Sequence, residues 1–185
     1  LMPDLVIVLL SGGLDSCVTT AVASQNHDLA LLHLNYGQLT WQREDQAFTD
    51  IANHYNVPSK RRRTVNMQYL ADIGGSALTD STIPVPEADL NSNQVPITYV
   101  PFRNANLLCL ATSWAEIIGA NAIYIGVVEE DSSGYPDCTE AFCKTFAQAI
   151  EAGTHPDNHI ELRTPIIHNN KTQIVQLGHD LRAPI

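Results

Sequence analysis

No run of apolar residues in this 185-residue sequence is long enough to span a bilayer. Leu5 to Leu10 has only the length of a strand, and the N-terminus lacks the basic, apolar, small-residue order of a signal peptide. No membrane partner is therefore expected, and the expected compartment is the cytoplasm. Basic residues are scarce: 10 Lys and Arg against 20 Asp and Glu give a net charge of −10. That balance excludes general binding to nucleic acid, which needs a basic surface. It leaves room for a small anionic ligand, because one loop can be positive inside an acidic protein. The single basic run, Lys60-Arg61-Arg62-Arg63, reads as the solvated start of a strand, or else as a partner or phosphate contact.

Cysteine is sparse too. Cys17, Cys109, Cys138 and Cys143 include no CxxC pair, and a cytosolic setting disfavours disulfides. Cys17 and Cys109 sit in apolar helical patterns and are expected in the core. Cys138 and Cys143 are near enough to share a metal, but no second pair completes a site. Pro156 separates His155 from His159 and argues against one helix presenting both. His33, in an apolar strand, is expected to be a satisfied core residue. No metal ligand set is assigned. There is no internal repeat and no low-complexity tract.

What is present is alternation. Strands are predicted at about 5–10, 29–36, 61–66, 121–128 and 160–164. Helices are predicted at about 15–25, 40–56, 104–118 and 139–152, with a last one beginning near Asn170. This order predicts an α/β domain, 1–185, with a mostly parallel five-stranded sheet and helices on both faces. Only 67–98 has no sustained period. Its Gly, Pro, Ser and Asn content and its recurring Ile, Leu and Val suggest a lid or a subunit contact.

Three polar clusters follow predicted strand ends: 11–16, 36–38 and 129–138. In a parallel sheet these gather at one edge, where ligands bind. The first, Ser11-Gly12-Gly13-Leu14-Asp15-Ser16, lies on a strand-to-helix turn. The glycines allow close backbone approach, and the helix start favours an anion. A nucleotide phosphate is the expected occupant; a plain turn is the alternative. Arg103, at the start of a buried helix, either pairs structurally or uses its planar fork on a carboxylate or phosphate. Asp131, Ser133, Tyr135 and Asp137 are candidates to read a substrate base or bind Mg²⁺, although Asp137 could instead cap the next helix. Tyr36 and Gln38 flank adenine or substrate, or form a simple turn.

SGGLDS also matches the PP-loop of the ATP pyrophosphatase superfamily. Together with YGQ at 36–38, GGSALTD at 74–80, IPVP at 83–86, YVPFRN at 99–104, SGYPDC at 133–138, and TPI with a following NK at 164–171, it makes the chain resemble the 7-cyano-7-deazaguanine synthase family. The resemblance runs in family order over nearly the whole chain. It implies an adenine nucleotide alpha hydrolase-like, Rossmann-like fold. It also implies an ATP-dependent ligase that makes a nitrile from 7-carboxy-7-deazaguanine and ammonia, through an adenylated carboxylate and an amide. On this resemblance Ser11, Asp15, Ser16 and Lys171 are catalytic. Leu10, Gly12, Gly13, Leu14, Tyr36 and Gln38 join them in binding ATP, with Mg²⁺. Arg103, Asn104, Asp131, Ser133, Tyr135 and Asp137 would bind substrate. A homodimer is implied as well.

The family also implies zinc held by C-terminal cysteines including a CxxC, which this sequence, ending at Ile185, does not contain. Either the sequence is shortened or the member lacks that module. Two smaller departures are Phe102, where the family has a small residue, and Thr40-Trp41-Gln42, where it is basic. Phe102 would narrow the pocket if it points inward. Two other readings stay open at this point: a PP-loop enzyme acting on another carboxylate or base, and a nucleotide-binding module without catalysis.

Overall fold

A computed structural model of the chain describes residues 4–79, 83, 95–129 and 134–185. Its sheet is built from β1 (Leu5–Leu9), β2 (Asp28–Asn35), β3 (Arg62–Asn66), β4 (Ala122–Tyr124) and β5 (Glu161–Arg163). All pairings are parallel and the strand order is β3-β2-β1-β4-β5. LVIVL forms the central strand because its branched side chains fit a pleated surface buried on both sides. Alternate residues serve opposite faces: Ile7, Leu9, Leu32 and Ile123 enter one core, while Val6, Val8, Leu31 and Ala122 enter the other. Register places Ile7 beside Ala30 and Ile123.

The described residues include six α-helices: α1 (Leu14–Ser24), α2 (Trp41–His54), α3 (Tyr69–Ile73), α4 (Arg103–Ile118), α5 (Glu140–Gly153) and α6 (Lys171–Asp180). Helices α4 and α5 close the Ile7 face through Leu108, Ala111, Ala115, Cys143 and Ile150. Helices α1 and α2 close the other through Cys17, Ala23, Phe48, Ile51 and Ala52. Helix α6 packs on α1, with Ile174 against Val18 and Ile166. Leu108 is wholly buried, and truncating such a leucine to Ala costs about 2–5 kcal/mol.

The chain runs outward from β1 to β2 and β3, then crosses to the other side of β1 for β4 and β5. The reversal lies between β1 and β4, and in open parallel sheets ligands bind at that point, beyond the carboxyl ends of the strands. Gly126, just after β4, lets the first turn of α1 come close. A Cβ there would stand 2.9 Å from the Asp15 carbonyl and 2.8 Å from the Thr19 hydroxyl.

Several expectations are corrected. β4 is shorter than 121–128: its pairing ends with Tyr124 between Val8 of β1 and Arg163 of β5, and beyond it the Ile125 N–H still bonds to Arg163 O. Within 67–98 lies the short helix α3, which no period announced; residues 80–82 and 84–94 are outside the described residues. The basic run is neither simply solvated nor left for a partner. Arg61 pairs with Asp28, Arg62 donates to the carbonyls of Val57 and Ala52 at the end of α2, and Arg63 lies over Trp114. Cys109 is exposed, whereas Cys17 is buried. Phe102 does not point inward: it is 58% exposed, has φ 56°, and its ring meets Phe142 edge-on. His33 donates to Leu10 O through Nδ1, and its Nε2 has no partner among the described residues.

Candidate active site

A cavity of about 390 Å³ opens at the carboxyl ends of the strands. Leu9, Leu32, Leu34, Leu107, Ile125 and Val127 make it apolar within. Its polar groups come from the three clusters that follow β1, β2 and β4, and from the starts of α2, α4 and α6.

The turn between β1 and α1 forms one wall. Ser11 and Ser16 fold it on itself: the Ser11 N–H donates to Ser16 Oγ at 3.2 Å, and Ser16 Oγ donates to Gly13 O at 2.9 Å. Gly13 is the N-cap of α1 and contributes no side-chain bond. The N–H groups of the first helical turn therefore face the cavity without intrahelical acceptors, an arrangement that suits an anion. Gly12 is turned the other way. It has φ 89°, and a Cβ on it would lie 2.9 Å from both Ala47 Cβ and Glu44 O. Its role is to let the turn pack on α2, and it does not line the cavity.

Lys171 reaches the same wall from α6. Its ammonium donates to both carboxylate oxygens of Asp15, at 2.9 and 2.8 Å. Helix α6 begins here because Asn170 and Gln173 form a reciprocal capping box, which fixes where the lysine leaves the helix.

Across the cavity, Arg103 donates to Tyr36 Oη at 3.1 Å, with its guanidinium 5.5 Å from that ring. Burial works against the charge of Arg103, but Tyr36 and Asp137 hold its pKa above the ordinary value. Burial pushes the Tyr36 phenol up while Arg103 opposes it. Behind them, Asp137 accepts the Asn104 N–H at 2.9 Å, and Asn104 Nδ2 donates back to Asp137 O at 3.0 Å. Asp137 thus ties down the first turn of α4. It does not cap α5, where Thr139 accepts from the Phe142 N–H. Burial raises the Asp137 carboxyl, against the Asn104 N–H and Arg103, which lower it. Tyr135 completes the wall, hydroxyl to hydroxyl with Thr98 and stacked on Tyr99.

The cavity therefore brings together Leu10, Ser11, Gly13, Leu14, Asp15, Ser16, Tyr36, Arg103, Asn104, Tyr135 and Lys171. Asp137 borders a small adjoining recess shared with Arg103 and Tyr135. Gln38 does not reach the cavity. Its amide accepts from the Tyr36 N–H and donates to Leu34 O and Glu44, which closes the turn after β2. Asp131 and Ser133 lie outside the described residues. Sequence reasoning missed Thr40, Glu44, Gly126 and Val128, which also line it. Only the nearness of Glu44 to YGQ could have signalled that carboxylate. Among the described residues no group of three or more His, Cys, Asp or Glu side chains is placed to hold a metal ion.

The family described as "Queuosine biosynthesis protein QueC" matches residues 5–185. This chain belongs to that family. A 7-cyano-7-deazaguanine synthase of Chlorobaculum parvum is 52% identical over 96% of this chain and 78% of its own length. One from Chlorobaculum tepidum is 53% identical with the same coverage. In this chain the turn at 11–16 and the lysine at 171 meet on one wall. Among solved structures, a U34-tRNA thiolase, NcsA, from Methanococcus maripaludis aligns with TM-score 0.60 and 16% identity, over 100% of this chain and 59% of that one. A predicted subunit of a tRNA methyltransferase from Methanocaldococcus jannaschii aligns with TM-score 0.51 and 12% identity, over 97% of this chain and 75% of its own. At such identities the likeness shows the fold alone, which is adenine nucleotide alpha hydrolase-like.

Proposed function

We propose that this QueC-family chain is an ATP-dependent carbon–nitrogen ligase that converts 7-carboxy-7-deazaguanine and ammonia to 7-cyano-7-deazaguanine. The observation that carries the reading is one cavity with a phosphate-type turn and Lys171 on one side and the Tyr36–Arg103 pair on the other. The names and identities of the relatives support the substrate.

The chemistry needs a carboxylate oxygen to attack the α-phosphorus of ATP, releasing pyrophosphate. Nitrogen then displaces AMP to give an amide, and a second activation removes the amide oxygen and leaves the nitrile. In this reading the N–H groups at the start of α1, with Ser11 and Ser16, hold the phosphate oxygens. Lys171, held in place by Asp15, neutralises charge that grows on the departing pyrophosphate; donors fixed in advance are what lower such a barrier. Arg103, aligned by Tyr36, orients the substrate carboxylate through its planar fork. Tyr135 offers a ring face to the deazaguanine. The apolar floor keeps water from the activated acyl group.

Magnesium fits only as an ion carried by the triphosphate, where it neutralises phosphate charge, since both Asp15 oxygens are on Lys171. Zinc does not fit the described cysteines. Burial holds the Cys17, Cys138 and Cys143 thiols up at about 11, and Cys109 is exposed apart from them on α4. A homodimer is supported by exposed apolar side chains at Leu39, Trp41, Ile73, Val95 and Ile97. No described helix is long and apolar enough to cross a membrane.

Pyrophosphate release from ATP, measured with and without 7-carboxy-7-deazaguanine and ammonium, tests the reading. Release that requires both and ends in the nitrile supports it. Release with the carboxylate absent or replaceable by an unrelated acid defeats it.

A further inference from the structure

The reaction proposed above needs ammonia, which at neutral pH is mostly ammonium: a small cation that must lose a proton before its nitrogen can attack. A carboxylate inside the cavity is the natural acceptor, and among the described residues two line it, Asp15 and Glu44. Asp15 is committed, with both oxygens on Lys171. Glu44 has no cationic partner among the described residues. One of its oxygens accepts from the Thr40 hydroxyl and the other from Gln38 Nε2 at 2.8 Å. Both bonds are to neutral donors, and each oxygen keeps a lone pair for another.

These bonds also aim the group. Gln38 is itself locked by the Tyr36 N–H and Leu34 O. The Glu44 backbone sits directly against Gly12 of the phosphate turn. Its charge is felt at the Tyr36 phenol, where it adds to the rise that burial causes. The carboxylate is therefore fixed relative to both the turn and the Tyr36–Arg103 pair, the two places between which the activated carbonyl must lie.

We propose that Glu44 binds the ammonium ion in the cavity and takes its proton, delivering ammonia to the adenylated carboxylate. This rests on the function proposed above. The carboxylate gains one proton and becomes the neutral acid. The nitrogen lone pair forms the C–N bond, the C–O bond to AMP breaks, and AMP leaves with that electron pair. The nitrogen sheds its surplus proton to solvent to give the neutral amide, and Glu44 returns its own proton to solvent.

The test is Glu44→Gln in the full-length protein, which keeps the shape and the Thr40 and Gln38 neighbours but removes the charge and the base. Exchange of labelled pyrophosphate into ATP, dependent on the carboxylate substrate, reads the first half-reaction. Capture of the acyl group by hydroxylamine, a nucleophile largely uncharged at neutral pH, reads the second without a deprotonation step. E44Q is expected to retain exchange and hydroxamate formation within about threefold, while kcat/KM for ammonium falls by about 100-fold or more. Its residual ammonium rate should climb with pH as free ammonia increases, and Glu44→Asp should recover part of the loss. Loss of exchange in E44Q, an equal fall with hydroxylamine, or an unchanged ammonium rate overturns the proposal. Lack of exchange in the unsubstituted protein instead defeats the reading of function, and the proposal with it.

Discussion

Lys171 and Asp15 are 156 residues apart in the chain, yet the lysine ammonium bonds both oxygens of the aspartate carboxylate. Their side chains are 54% and 30% exposed, so solvent screens the pair and its net worth to folding is about 1 kcal/mol or less. Lys171→Met should leave the melting temperature nearly unchanged. Substrate-dependent pyrophosphate exchange should fall by about 100-fold or more, the scale of one lost electrostatic contact to a transition state. A variant that melts early and exchanges normally would show the lysine to be structural.

Gly12 makes the opposite case. Its positive φ and the 2.9 Å separation of a built Cβ from Ala47 Cβ and Glu44 O leave no room for a side chain. Gly12→Ala should lower unfolding free energy by about 2–4 kcal/mol through left-handed strain and overpacking. Urea denaturation measures this. An ordinary unfolding midpoint combined with weakened ATP binding would mean that the glycine serves the ligand instead.

Asp137 sets a pH dependence. Burial raises its carboxyl from the ordinary 3.8, so the folded state holds that proton more tightly than the unfolded state. Stability from this group is then full below 3.8 and declines as pH rises through the raised folded value. Asp137→Asn lacks the titration. The stability of the native sequence minus that of D137N should drop as pH rises above 3.8 in urea titrations. A difference that rises with pH would contradict the direction of the shift.

Thiol chemistry gives a simple count. Cys17, Cys138 and Cys143 are buried and pushed up to about 11, while Cys109 is exposed. Since the thiolate is the reactive form, brief alkylation of the native protein near neutral pH should label Cys109 alone, and urea should release the other three. Peptide mass spectrometry reads both.

The strand–helix alternation and the parallel sheet were legible in the sequence because the three central strands, β1, β2 and β4, are short apolar runs. Helix α3 was not, since Tyr69–Ile73 is too short to show a period and is closed by Gly74. At the site, the turn at 11–16 announced itself by its position after LVIVL. Gly12 and Gln38, read as ligand contacts, do not line the cavity; Gly12 packs on Ala47, and the Gln38 amide bonds Glu44. Asn104 and Asp137 were named separately, and their mutual bonds depend on how α4 meets the turn before α5. The meeting of Lys171 with Asp15 has no local signature at all; family resemblance pointed to the lysine, and the fold supplied its partner.

The strand order has a further consequence, for synthesis. Of the described strands, the first to be made is the central one, with β2 on one side and β4 on the other. Leu5–Leu9 can pair early with Asp28–Asn35, but its second edge stays open until Ala122–Tyr124 is made. Until then the nascent chain carries an apolar strand with one unsatisfied edge, the kind of surface that holding chaperones cover.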